Sequence, residues 1–226
     1  MGKCAWIFPL HRRFFSILCV SYRLLAHLRR KLDSGAISEN DVVHLTKEVR
    51  KEFMTIWALS EYLCTDLTER AASTMYASDA SLEGYAYVDT LVDPRTEWVH
   101  DTGLVHTAYA ARLMERKRWH LRRHRWFRPD IKNILNGEIC AFRRAAVAAA
   151  RQNKNKEAII YTDNANVYYA IQKGRSNSVN LNILCRNVLF LEITHNVRIH
   201  ARWCPSASMP ADIYTRKETY PGCKYY

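Results

Sequence analysis

The sequence predicts a mixed α/β fold. Five strands form one sheet, three antiparallel and then parallel ones, flanked by helices, with a helical appendage at the N-terminus. Three observations predict this. Near residue 70 the apolar pattern changes from helical spacing to short runs rich in Tyr, Val and Ala. An Ala-dense run at 141–150 favours a helix that packs closely on a sheet. Beyond it, short apolar runs alternate with helical segments, the order expected of parallel strands. With 226 residues, 48% of them hydrophobic, the chain can build a real core; 7 Gly and 6 Pro are too few for a linker-like or collagen-like chain.

The elements follow in order. Residues 10–32 read as a helix with apolar Phe14, Ile17, Leu18, Leu24, Leu25 and Leu28, broken by Asp33-Ser34-Gly35. A second helix is expected from Ser38, where Ser38-Glu39-Asn40-Asp41 offers capping oxygens and early negative charge, and runs to near residue 70. This gives a helical region at 1–70. Strands are expected at 73–79 and 84–90, joined by a loop before Gly84, and a third within 97–107 completes an antiparallel meander. After a basic insert near 108–132 come a helix at 136–152, a buried strand at 157–162 and a helix at 165–173 that stops at Gly174. A longer helix at 178–195, a strand at 197–203, a loop at 205–210 and a short helix at 211–217 complete a second domain at 71–226.

Charge narrows the function. Lys and Arg number 34 against 22 Asp and Glu, a net +12, so a polyanion is the expected partner, nucleic acid before membrane. Between 112 and 132 there are nine Lys or Arg against Glu115 and Asp130, interleaved with Trp119, Trp126 and Phe127. That mixture suits phosphate neutralisation with ring stacking, and equally a solvated helix that buries its rings. Arg122, Arg123 and Arg125 are the candidates to hold phosphates. The apolar run at 14–22 is too short to span a bilayer and is flanked by Arg12, Arg13 and Arg23, so no membrane partner is expected. Residues 1–32 carry no acid, a composition shared by mitochondrial presequences and by basic helices of nucleic-acid-binding proteins. Seven Cys, an odd number with no C-x-x-C pair, exclude a zinc ribbon and predict reduced thiols inside the cell, in cytoplasm or nucleus. His195 and His200 have no Cys at ligand spacing and read as packing residues.

Four acids fall at positions that carry chemistry. Asp79 ends the first strand, Glu138 opens the first major helix, Asp163 ends the fourth strand and Asp212 starts the last helix. The carboxyl ends of neighbouring strands are where ligand crevices form in open sheets. Carboxylates gathered there repel one another unless cations lie between them, and Mg²⁺ is the hard ion that carboxylates and phosphate oxygens bind. Singly, each acid reads as a turn former, a helix cap or a helix-dipole partner; the joint order is more specific.

Tyr76-Ala-Ser-Asp79-Ala-Ser81, Glu138-x-x-Ala141, Tyr161-Thr-Asp163-Asn164 and Trp203-Cys-Pro-Ser-x-x-x-Pro-Ala211-Asp212 resemble the successive motifs of the ribonuclease H domain. The likeness covers residues 73–217 and is greatest to the domain joined to retroelement reverse transcriptases of the DIRS and VIPER type. It implies a metal-dependent endonuclease that hydrolyses the RNA strand of RNA–DNA hybrids, with Asp79, Glu138, Asp163 and Asp212 binding two Mg²⁺, or Mn²⁺ in their place. Asp79, Asp163 and Asp212 would serve the ion at the attacking water, and Asp79 and Glu138 the ion at the departing 3′ oxygen. Products would carry 3′-hydroxyl and 5′-phosphate ends. Ser81 and Asn164, beside catalytic aspartates, are candidates to touch the nucleic-acid backbone, or else serve as turn and cap. The polymerase part of the same element is an implied partner, and residues 1–70 match the end of that polymerase, its thumb or connection, by position. Two departures stand out: the loop at 204–211 holds no His, and Met209 stands where Asn usually precedes Pro-Ala-Asp.

Two other readings use the same residues. A decayed module of this fold would bind nucleic acid without cutting it. An integrase- or transposase-type phosphotransferase would share the first-strand and fourth-strand acids but lack the Glu138-type residue and the terminal Ala-Asp.

Overall fold

The computed structural model describes residues 8–62, 72, 74–91, 118–127 and 133–219. Strands β1 (Thr74–Ala80), β2 (Gly84–Leu91), β3 (His120–Trp126), β4 (Glu157–Thr162) and β5 (Arg198–Trp203) form one sheet in the order β3-β2-β1-β4-β5. The β1–β2 and β2–β3 pairs are antiparallel, and the β1–β4 and β4–β5 pairs parallel, as the sequence predicts. β1 is central and buried along its whole length, which explains a strand with no charged residue before Asp79.

We label the helices α1 (Cys19–Asp33), α2 (Lys47–Ala58), α3 (Ile134–Gln152), α4 (Ala165–Lys173) and α5 (Val179–His195). The last three cover one face of the sheet. Tyr76, Ile160, Ile199 and Ala201 from the strands meet Ala145, Ala146 and Ala149 of α3, Ile171 of α4 and Leu184 and Val188 of α5. The alanine stripe leaves nothing bulky between α3 and the strands, so helix and sheet approach closely. The opposite face carries Met75, Ala77, Ala86, Val88, Ile159 and Tyr161, and the segment after β5 covers it with Cys204, Met209 and Ala211.

Three expectations change. The third strand of the sheet is His120–Trp126, inside the segment read as a basic insert; the expected position at 97–107 lies outside the described residues. This strand escapes pattern reading because it lies at the sheet edge and a register shift opposite Tyr87 and Val88 breaks its alternation, and three arginines and two histidines occupy it. The second helix begins at Lys47, capped by Thr46, and not at Ser38. Ser38 and Asp41 close a turn instead: the Asp41 carboxylate accepts from the Ser38 N–H at 2.8 Å. Residues 211–217 form only a short 3₁₀ turn, Asp212–Tyr214.

The N-terminal helices pack on this α/β layer. Phe14, Ile17, Leu18 and Ile56 share a buried cluster with Leu189 of α5. Arg13 donates to the Glu192 carboxylate on α5 and to the carbonyl of Ile199 on β5. Within the pair α1–α2, Glu52 accepts from the backbone N–H of Val20 and Ser21 at 2.7 and 2.8 Å, satisfying donors of the first turn of α1. The tightest approach is at Gly174, which ends α4 with φ +70°; a Cβ there would lie 2.2 Å from the carbonyl carbon and oxygen of Arg12. Replacing Gly174 by Ala therefore imposes a left-handed residue, about 1–3 kcal/mol by itself, and expels the Arg12 backbone. We expect the melting temperature of Gly174→Ala to fall by several degrees or more, measured by circular dichroism; an unchanged value would show that the N-terminal segment does not dock there.

Candidate active site

Parallel pairing of β1 with β4 decides where two of the acids meet. Ala77 lies opposite Tyr161, so two residues further along each strand Asp79 and Asp163 emerge side by side at the carboxyl edge. Glu138 arrives from above. It continues the buried face of α3 that Ala141, Phe142 and Ala145 form at helical spacing, one turn beyond the end of the sheet. The helix starts at Ile134, so Glu138 sits at the start of its second turn, not in the first. Carboxylate oxygens of Asp79, Glu138 and Asp163 all lie within 4.8 Å of one another. Asp212, on the 3₁₀ turn after β5, also faces Asp79, and its Oδ1 accepts from Arg216 Nε and Nη2 at 3.2 and 3.0 Å.

This is an expensive place for negative charge. Asp79 and Glu138 are each only 4% exposed. Burial first, then Asp163 and Asp212, push the Asp79 carboxyl from 3.8 up to about 8. Burial, then Asp79 and Asp163, push Glu138 from 4.5 to about 9. The backbone N–H of Ala80 works the other way on both groups and does not offset the rise. Glu138 Oε2 is buried and has no hydrogen-bond donor. Three convergent hard oxygen ligands, a mutual repulsion and one buried acceptor left over together fit a hard divalent cation such as Mg²⁺ or Mn²⁺.

Other residues orient these acids. Thr215 Oγ1 donates to the Asp212 carbonyl at 2.9 Å and lies 3.4 Å from Asp79 Oδ2, and Trp203 Nε1 donates to the backbone carbonyl of Asp163 at 2.9 Å. Sequence reading missed Thr215 and Arg216. Their spacing from Asp212, three and four residues, is a local signal, because side chains at those offsets meet within one turn. Trp203 gives no such signal for its bond to Asp163.

The predicted nucleic-acid contacts divide. Ser81 accepts from the N–H of Glu83 and Gly84 at 3.0 and 3.3 Å and donates to the Thr215 carbonyl, so it shapes the β1–β2 turn and anchors the Asp212 segment. Asn164 caps α4, its Oδ1 accepting from Asn166 and Val167 N–H at 3.0 and 3.2 Å. Arg122 is held at 2.7 Å by Asp89, a buried carboxylate on β2. Arg123 and Arg125 are exposed. Asp79, Ala86 and His124 form one row across the sheet, so these two arginines flank that row two strands, about 10 Å, from Asp79.

Met209 is a core residue. It is 4% exposed, packs with Cys204 and Ala211, and its carbonyl accepts from the Asp212 N–H at 3.2 Å.

No protein-family model matches the sequence, and no curated protein matches it. Solved structures overlap with it loosely. RNase H1 from the halophilic archaeon Halobacterium salinarum has 14% identity and a TM-score of 0.37, covering 62% of this chain and 91% of its own. An RNase H1 in complex with RNA/DNA hybrid has 9% identity and a TM-score of 0.39, over 62% of this chain and 92% of its own. The Prototype Foamy Virus protease-reverse transcriptase has 15% identity and a TM-score of 0.32, over 85% of this chain and 24% of its own. These overlaps carry no argument by themselves. The five-stranded sheet, its antiparallel and then parallel strand directions and its flanking helices match the architecture that the motifs imply. The fold is ribonuclease H-like. Among the described residues, no helix is long and apolar enough to cross a membrane.

Two outcomes follow from this geometry. Without divalent cations, Asp79 and Glu138 hold protons in the folded protein that the unfolded chain has already released above about pH 4–5. Stability therefore falls as pH rises from there and levels off above about 8 to 9, the folded values. Thermal melts in chelator should show that fall, and Asp79→Asn should reduce its slope and melt higher than the unaltered protein at pH near 9. Met209→Asn buries an amide among apolar side chains and should cost about 1–3 kcal/mol in urea unfolding; a gain in stability would place position 209 outside the core.

Proposed function

We propose that the chain is a metal-dependent endonuclease of the ribonuclease H type, hydrolysing the RNA strand of RNA–DNA hybrids. The observation that carries this reading is the meeting of Asp79, Glu138 and Asp163 within 4.8 Å, from three separate elements, at the carboxyl edge of a ribonuclease H-like sheet. The net charge of +12 supports a polyanionic substrate. In the same reading the domain belongs to a retroelement reverse transcriptase of the DIRS or VIPER type. Its polymerase part is then the partner, and residues 1–70 match the polymerase thumb or connection.

The residues take these roles. Asp79, Glu138 and Asp163 would hold divalent cations, with Asp212 completing the set. When bound, the metal supplies activation of water and stabilisation of charge on the phosphodiester. Thr215 braces the Asp212 turn against Asp79 through its hydroxyl, and Arg216 fixes the Asp212 carboxylate. The low exposure of Asp79 and Glu138 keeps water from competing at these oxygens. Hydrolysis adds water across the P–O3′ bond, leaving a 3′-hydroxyl and a 5′-phosphate. Arg123 and Arg125 would neutralise phosphates along the β3 edge, Arg122 doing so only in competition with Asp89. Ser81 and Asn164 would meet the backbone while keeping their turn and cap bonds. Selection for RNA would rest on hybrid shape and 2′-hydroxyl contacts.

The test is cleavage of an end-labelled RNA–DNA hybrid with Mg²⁺ or Mn²⁺. We expect cutting of the RNA strand alone, its loss in EDTA, and its loss by a factor of at least about a hundred in Asp79→Asn and Glu138→Gln, with hybrid binding retained. Tight binding without cutting in any metal would establish a binding module instead. Strand transfer without hydrolysis would establish a phosphotransferase of the integrase class.

A further inference from the structure

A cleft of about 750 Å³ lies between the N-terminal helix α1 and the turn that joins α4 to α5. Its walls are basic and aromatic. Arg23 from α1, Lys173 from α4 and Arg175 from the turn line it, and no Asp or Glu does. These three cations form no ion pair among the described residues. Arg23 reaches only the Asn177 carbonyl, at 3.5 Å. The rings of Tyr22 and Tyr169 lie in the same walls, and each already carries a cation, Arg175 at 5.4 Å from the Tyr22 ring centre and Lys173 at 5.4 Å from that of Tyr169. The far wall is rigid: Asn182, 2% exposed, accepts from the Ser176 N–H at 2.9 Å and donates to the Ser176 carbonyl.

Helix α4 connects the cleft to the acidic cluster. Asn166, Tyr169, Ala170 and Lys173 line the cleft as one face of α4, from the first turn to the last. That helix starts directly after Asp163 and its cap Asn164. Its face within the cleft is about 10 Å long at 1.5 Å per residue, long enough for a short stretch of a single strand to lie beside it.

We propose that this cleft binds a single-stranded segment of nucleic acid that continues from the duplex engaged at the acidic cluster. Unpaired bases stack on Tyr22 and Tyr169, and their phosphates meet Lys173, Arg175 and Arg23. A paired duplex has no free base faces to offer these rings, whereas a single strand offers one per nucleotide. The site exists only because the N-terminal helices dock on the α/β layer, since α1 supplies one wall. The inference rests on the nuclease reading for the duplex that precedes the strand, but the cleft takes the strand with or without cleavage.

The experiment measures anisotropy of a fluorescent RNA–DNA hybrid in EDTA, blunt or carrying a short single-stranded extension. The unaltered protein should bind the extended hybrid about tenfold more tightly than the blunt one, from one stacked base and its phosphate. Lys173→Gln and Tyr169→Ser, both on exposed side chains, should each remove most of that gain while leaving blunt binding and the melting temperature unchanged. For Lys173→Gln the slope of log affinity against log salt should fall by about 0.7, one single-strand phosphate contact. Arg151→Gln, exposed at the far end of α3, is the control and should keep the gain. An extension that adds nothing in the unaltered protein, or a gain that both variants retain, overturns the proposal. Loss of the gain in the variants of a protein that never cuts the hybrid supports the cleft and defeats the nuclease reading alone.

Discussion

Burial of Asp79 and Glu138 beside a third acid, Asp163, is the constraint around which this molecule is arranged. Asp79, Glu138 and Asp163 occupy one small volume at the edge of the sheet, with their oxygens within 4.8 Å. Burial and like charge together drive Asp79 and Glu138 far above the ordinary carboxylate range. Such a cluster persists only if the surrounding packing over-determines it. Here it does. Asp79 sits at the end of a fully buried central strand, Glu138 sits on a helix whose alanine face is pressed against that strand, and Asp163 is held through its backbone by Trp203. Neither Asp79 nor Glu138 can retreat to solvent without breaking an element of the core.

The segment after β5 has two duties that the same residues serve. Cys204, Met209 and Ala211 close the face of the sheet that no helix covers among the described residues, and in doing so they deliver Asp212, Thr215 and Arg216 to the acidic edge. Met209 belongs to this arrangement. An apolar side chain there holds the turn against the sheet, and its carbonyl accepts the N–H of Asp212. Met209 is thus a packing solution at this position, with Asp212 in place three residues after it.

The N-terminal helices are part of the same body of packed residues. Arg13 joins α5 and β5, Phe14 and Leu18 share a core with Leu189, and the chain passes Gly174 at a distance that admits no side chain. Glu52 supplies the negative charge that α1 lacks in its own first turn. A basic helix that reads in isolation as a targeting signal or a free nucleic-acid-binding surface thereby becomes one wall of a cleft.

The residues by themselves determined the strands β1, β2, β4 and β5, the helices α3 to α5 between and beside them, and the choice of candidate acids, because each rests on a local pattern. Alternating or continuous apolar runs, an alanine face and an aspartate at a strand end are all written within a dozen residues. Four features were decided only by tertiary contact. The third strand lies in a run of arginines because an edge strand needs little apolar surface and a register shift hides its period. Ser38 closes a turn because Asp41 competes for its N–H. Arg122 serves Asp89 before any phosphate because antiparallel pairing brings them together across strands. The meeting of Asp79 with Glu138 depends on how far α3 runs past the sheet. Sequence spacing records which residues follow one another; only the packed chain sets which of them share a volume, and the chemistry of carboxylates depends on that volume.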